Sequence, residues 1–445
     1  MKLKYIIITV LGLAMFTGCQ DFLDVQPISE IGEGDFYTNA KEVETAMIGV
    51  YDALQEVPKR EFTLTEMRSD NAKTRLSEGD WGDCEILNIG STNSMVLAYW
   101  NANYITIYRA NTVLNNLDVV SDNDLRSQFE GEAKFIRAMC HYNLVRLYKN
   151  IPYVDRTIYP NEASTIEQTP EATVYENIVA DLNEAISLLP GKSGIANGRA
   201  TSGAAQALLG KVYLATGDYS SAQAAFSKVI GTDYALEESF NDVFYTEQND
   251  EIIFAVQYIN DDADNSEDFS MEFTWAGVAS GVNTPTDDII ADFDVADSIR
   301  FATSFLADSS EVGKFVSSSS DPEYGGNDWI VIRYADVLLM YVEAVAAGGT
   351  TTDGTAVGYF NEVRSRAGMP AVDAITQEDL LRERRLELAF ENSRWFDLER
   401  FGVAAEVLTA FGNGEGGFSF QSTDLNLPIP QREMAASDVF VQNDY

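Results

Sequence analysis

Chemistry in this chain would have to come from carboxylates, arginines and aromatic rings, because little else is available. The 445 residues include 70 Asp and Glu but one histidine, His141. A single imidazole excludes a multi-histidine metal site and leaves little room for histidine acid–base catalysis. His141 falls at helical spacing beside Cys140 and Leu144 and reads as a packed residue. Carboxylates are so abundant that some pair always suits glycoside hydrolysis on paper, so their number supports no hydrolase. Gly-rich phosphate loops, His-Glu-x-x-His and Gly-x-Ser-x-Gly are absent from the sequence. Asp262-x-Asp264-x-Ser266-x-Asp268 has the oxygen spacing of a calcium loop, but Glu267 stands where the turn needs Gly and Phe273 where a bidentate Glu belongs. It reads as a solvated acidic loop, and no cofactor is expected. Cys84 and Cys140 either pair in an oxidising compartment or stay as buried thiols.

Two further groups carry charge or flat apolar surface. The run Arg382-Glu383-Arg384-Arg385-Leu386-Glu387, continuing through Glu391, Arg394, Asp397, Glu399 and Arg400, reads as a helix pair laced with ion pairs at i,i+3 and i,i+4. Among five tryptophans, Trp100 and Trp395 are expected in the core. Trp81, Trp275 and Trp329 fall in or beside stretches without helical periodicity, close in sequence to Asp70, Asn71, Arg75, Asn93 and Tyr324. Flat rings stack on the C–H faces of sugars while polar tips take hydroxyls, and the same set suits peptides. A ligand platform of Trp81, Trp275, Trp329 and Tyr324, assisted by Arg75, Asp70 and Asn71, is therefore predicted.

Such a platform needs a scaffold, and the spacing of apolar residues supplies a helical one. Stripes at helical period run through 41–56, 97–119, 125–150 and 171–189. Leu209-Gly210, Tyr213, Gly217, Tyr219, Ala222 and Phe226 match the tetratricopeptide helix–turn–helix pattern, whose single unit cannot bury its own apolar face. Further helices are predicted over 333–346, 355–367 and, from the capping box Thr376-x-x-Asp379, 380–392, with another from about Arg394. Glu56–Met95 and Asp233–Trp329 lack helical period and read as loops, where binding sites concentrate. The reading is a mostly α fold of about four irregular helix pairs with long loop regions.

Charge and the N-terminus bound the class of partner. A formal charge of −40 argues against nucleic acid and against docking on anionic lipid by charge alone. Lys2 and Lys4, an apolar run from Tyr5 to Phe16, and Phe16-Thr17-Gly18-Cys19 resemble a bacterial lipoprotein signal with Cys19 as the acylated residue. The apolar run is too short to span a bilayer. The predicted layout is a signal peptide over 1–18, a helix-pair part over 19–232, a loop-rich insertion over 233–330 and a second helix-pair part over 331–445.

Several stretches are distinctive: Cys19 to Pro27, Tyr108-Arg109-Ala110-Asn111, Arg333 to Ala344, Arg384 to Glu391, Arg394 to Leu398, Leu427-Pro428-Ile429-Pro430 and Gln442 to Tyr445. With them the chain resembles, along its whole length, the SusD/RagB-type outer-membrane lipoproteins of Bacteroidetes. Cys19 to Pro27 is similar to that family's mature start, Asp21 and Asp24 to its surface-export signal, and the other stretches to its recurrent motifs. Asn392 departs from the pattern, which has Gly there, and the Gly before the final Tyr is absent. The resemblance implies four tetratricopeptide-like helix pairs, no catalysis, and capture of oligosaccharide or polysaccharide at the cell surface for a SusC-like TonB-dependent transporter. It implies membrane attachment through lipid alone. Peptide capture and, more remotely, a surface glycoside hydrolase are the alternatives.

Overall fold

The computed structural model describes residues 36–74, 79–274, 282–293, 295–306 and 310–445. The predicted signal peptide and Cys19 lie outside the described residues. No helix among those described is long and apolar enough to cross a membrane.

The predicted stripes form helices and turn inward. Val43, Met47, Val50 and Leu54 are all buried on helix Ala40–Leu54, which Asn39 caps by accepting hydrogen bonds from the amides of Lys41 (3.0 Å) and Glu42 (3.3 Å). That helix packs on Ser94–Asn115, which packs on Asn123–Tyr148, and the series continues through Glu171–Leu188, Ser202–Ala215, Tyr219–Ser227, Tyr334–Ala346 and Gly354–Arg366. Gly210 lets the tetratricopeptide pair close, since a β-carbon there would overlap the Phe226 ring. The Thr376 capping box opens helix Gln377–Glu387, shorter than predicted, and Arg394–Arg400 follows. Between them Asn392 has φ +59°, a left-handed conformation that Gly takes freely and Asn better than most residues, so the departure from Gly is accommodated.

The stretches read as loops contain more order than their sequence suggests. Short helices Pro58–Leu64 and Gly79–Glu85 interrupt the first, and Phe269–Phe273, Asp287–Asp292 and Ser298–Ser304 the second. Two antiparallel ribbons hold the second stretch in place. Ile252–Val256 pairs with Trp329–Arg333, closing the excursion at the start of helix Tyr334–Ala346. Ala72–Lys73 pairs with Thr284–Pro285, joining the two loop regions across more than 200 residues of chain.

Beneath these ribbons the arginine-rich run behaves differently from its prediction. The ion pairs exist, but most reach across the fold and are buried rather than running along one helix surface. Arg384 bonds Asp336 (2.9 Å) and forks Asp397 (2.9 and 3.0 Å). Arg333 bonds Glu251 (2.8 Å), Glu387 (2.7 Å) and Glu391 (2.7 and 2.9 Å). Arg300 reaches Asp297 and Glu383, Arg364 pairs with Glu383, Arg366 pairs with Glu251 and Glu387, and Lys314 pairs with Glu391. Spacing alone shows where charges lie on a helix, not that loops will wrap the helix and supply closer partners. Burial would raise the Glu387 carboxyl, but Arg366, Arg333 and Arg300 outweigh it and hold it down at about 2.

Candidate functional site

Of the predicted platform residues, the structure places two at the surface, three in the interior and two outside its described range. Arg75 and Trp275 are the two outside it.

Trp329 does not join a surface platform. It is 2% exposed on its strand, ringed by Phe315 at 5.0 Å, Phe269 at 5.2 Å and Phe273 at 6.3 Å between centroids. The reason is the ribbon it belongs to, which turns its aromatic face under the loops. Asp70 and Asn71 are also interior. Asp70 accepts from Arg394 Nε (2.8 Å) and Nη2 (2.7 Å), and Arg385 lies 3.0 Å away. Burial opposes its ionisation, yet Arg394 and Arg385 keep its carboxyl below the usual range. Asn71 donates to Glu66 (2.9 Å) and accepts from Arg385 (2.9 Å). Their carbonyls receive Thr286, through its hydroxyl to Asp70 (2.7 Å) and its amide to Asn71 (3.1 Å). Both residues therefore anchor the ribbon that joins the two loop regions.

Trp81 is half-buried on Gly79–Glu85 and keeps part of its surface toward solvent. Its ring stacks on Phe62 (5.8 Å, 28° between planes), and Phe62 meets Phe273 edge-on at 5.1 Å. The Arg60 guanidinium lies 6.0 Å from the Trp81 ring centre and forks Asp268 at 3.1 and 2.9 Å. Asn93, predicted as a neighbour of this group, caps helix Ser94–Asn115 and donates to the Asp80 carbonyl (3.0 Å), tying the helix of Trp81 to the scaffold.

Tyr324 reaches the same side of the molecule through backbone. Glu267 and Gly325 exchange amide–carbonyl bonds of 2.8 and 2.9 Å, one residue from Asp268 on one strand and from Tyr324 on the other. The Tyr324 carbonyl accepts from the Asp261 amide (3.0 Å), and the ring is half-buried. Behind the bridge, burial raises the Glu267 carboxyl to about 7 despite bonds from the Ser270 amide and hydroxyl. A continuous path thus runs from Trp81 through Arg60, Asp268 and Glu267 to Gly325 and Tyr324. Arg60 and Phe62 were missed by sequence reasoning, and Asp268 and Phe273 were weighed only as positions of a calcium loop. Pro58, suited to a first helical turn, was the local signal for the helix that carries the first two.

Residues considered for chemistry are committed elsewhere. His141 is fully buried, accepts the Val154 amide at Nε2 (3.0 Å) and therefore carries its proton on Nδ1, against the Arg137 carbonyl (2.9 Å). Burial lowers its pKa to about 3, so the ring is neutral. Asp262 accepts from the amides of Asp264 (2.9 Å) and Asn265 (3.0 Å), turning its loop on itself, and Asp268 is held by Arg60. Cys84 and Cys140 are separate buried thiols, and burial pushes Cys84 up to about 12.

Residues 309–445 match the model of the SusD family, and residues 21–214 match a model described as "Starch-binding associating with outer membrane". A SusD-like protein of Formosa agariphila is 27% identical over 506 aligned residues, covering 99% of each chain. One from Bacteroides ovatus is 24% identical over 89% of this chain and 82% of its own. A solved laminarin-binding SusD-like protein superposes with a TM-score of 0.79 at 27% identity, over 92% of this chain and 99% of that one. The two family models together take in residues 21–214 and 309–445, and the chain belongs to the SusD-like family.

Proposed function

We propose that this protein is a non-catalytic, cell-surface glycan-binding lipoprotein, anchored in the outer membrane through Cys19, that passes oligosaccharide or polysaccharide to a TonB-dependent transporter. The observation that carries the reading is the half-exposed Trp81, backed by Phe62 and the Arg60–Asp268 fork at the seam between two loop regions. A ring held rigidly below and open above loses little entropy when a sugar stacks on it. Arg75 and Trp275, from the same two loop regions, complete the proposed surface with Tyr324. The laminarin-binding relative supports a glycan as ligand, and the family description supports the outer membrane as location.

Purified residues 20–445 should retain at least one glycan on an array that also carries peptides. Each stacked ring is worth about 1 kcal/mol, so Trp81→Ala and Trp275→Ala should each weaken binding by roughly fivefold to tenfold. Binding unchanged in both variants would place the site elsewhere, and retention of peptides alone would overturn the glycan reading. Cys19→Ala should release the protein from membranes. Solubilised full-length protein should bring down a TonB-dependent barrel, and failure to do so would remove the delivery step.

A further inference from the structure

The loop-rich region is far more acidic than the scaffold. Residues 233–330 contain 23 Asp and Glu against two basic residues, Arg300 and Lys314. Both are fully buried and paired, Arg300 with Asp297 and Glu383, Lys314 with Glu391. Neither can meet a ligand.

Cations contributed to this side by the first loop region are occupied as well. Arg60 is forked by Asp268, and Lys73 pairs with both Glu415 and Asp287. Arg385 and Arg382, below the ribbon that joins the loops, are held by Asp292, with Asp288 also on Arg385. Carboxylates nearby point outward: the side chain of Glu56 is 63% exposed and that of Asp287 is 88% exposed. Of the other basic residues in the first loop region, Lys59 pairs with Glu56 (2.8 Å) and Arg68 is buried, while Arg75 adds one positive charge.

A sulfate or uronate approaching this surface would have to displace a carboxylate already bidentate on arginine, against a field of the same sign as its own. An uncharged sugar meets no such barrier, since hydroxyls accept from and donate to paired groups without breaking them. Resting on the glycan-binding reading above, we propose that the ligand of this protein is a neutral glycan and that polyanionic glycans are excluded electrostatically.

The test uses full-length mature protein against neutral α- and β-glucans, mannan and xylan, each beside its sulfated derivative, together with alginate and pectate. The best-binding neutral backbone should lose at least tenfold on sulfation at low salt. Because exposed charges are screened beyond about 10 Å at 0.1 M salt, raising the salt should recover much of that loss. The double variant Glu56→Lys, Asp287→Lys should narrow the gap without weakening the neutral parent glycan. Tighter or equal binding of a sulfated derivative, or alginate or pectate as the best ligand, would overturn this inference and leave glycan binding standing. Binding of no glycan at all would overturn both.

Discussion

Arg333→Met offers the sharpest test of how the loops are locked to the scaffold. Arg300, Lys314, Arg333, Arg364 and Arg366 face Asp297, Glu251, Glu383, Glu387 and Glu391, five formal charges of each sign with side chains almost entirely enclosed. Removing one guanidinium leaves an unbalanced buried negative charge, freeing the fork on Glu391 and single bonds to Glu251 and Glu387, although Arg366, Arg300 and Lys314 still contact the glutamates. Breaking a buried pair by deleting one partner costs about 3–5 kcal/mol, so urea denaturation followed by tryptophan fluorescence should show a loss of that size near neutral pH. Acid gives a second, independent readout. Arg366, Arg333 and Arg300 hold the Glu387 carboxyl at about 2 in the fold against an ordinary value of 4.5. Its stabilising contribution is complete above the unfolded value and disappears as pH falls through the folded one, a swing of roughly 3 kcal/mol. In the variant the glutamates have lost one cation, so protonation restores neutrality and the gap from the parent should shrink as pH drops from about 5 towards 3. A midpoint unchanged at neutral pH, or a gap that widens in acid, would refute the idea that charge balance holds this lattice together.

The remaining expectations concern packing and burial. Trp329→Ala should lose about 3–5 kcal/mol of stability through the cavity left among Phe269, Phe273 and Phe315, whereas Trp81→Ala should shift the denaturation midpoint far less. Gly210→Ala, whose added methyl meets the Phe226 ring, should cost about 1–3 kcal/mol, and a paired Phe226→Leu should recover part of it. The His141 ring should show no titration by NMR between about pH 5 and 8, because its folded pKa is about 3; stability should fall as acid moves from the unfolded value near 6.5 towards that figure, since only the unfolded chain takes up the proton there. Cys84 should resist a thiol reagent in the folded protein and react at once in denaturant, its thiol being both enclosed and held at about 12.

Sequence alone determined the helical frame, because helical period is a local property and survives without any knowledge of partners. Val43, Met47, Val50 and Leu54 declared their buried face, Thr376 and Asp379 their cap, and Gly210 with Phe226 a close helix pair. Composition, with a single histidine, also narrowed the candidate groups to carboxylates, arginines and rings. Tertiary structure decided which of those groups face solvent. Trp329 and Trp81 lie in equally aperiodic sequence, yet pairing of Trp329–Arg333 with Ile252–Val256 carries the first ring inside, while the short helix of Trp81 leaves the second at the rim. Asp70 and Asn71 look like polar tips in a loop until Arg385 and Arg394, more than 300 residues away, reach them. Such pairings depend on strand register and on loops wrapping a helix, and neither leaves a period in the chain. A charge written in sequence carries its sign but not its partner, and here the partner determines whether it holds the fold or faces a ligand.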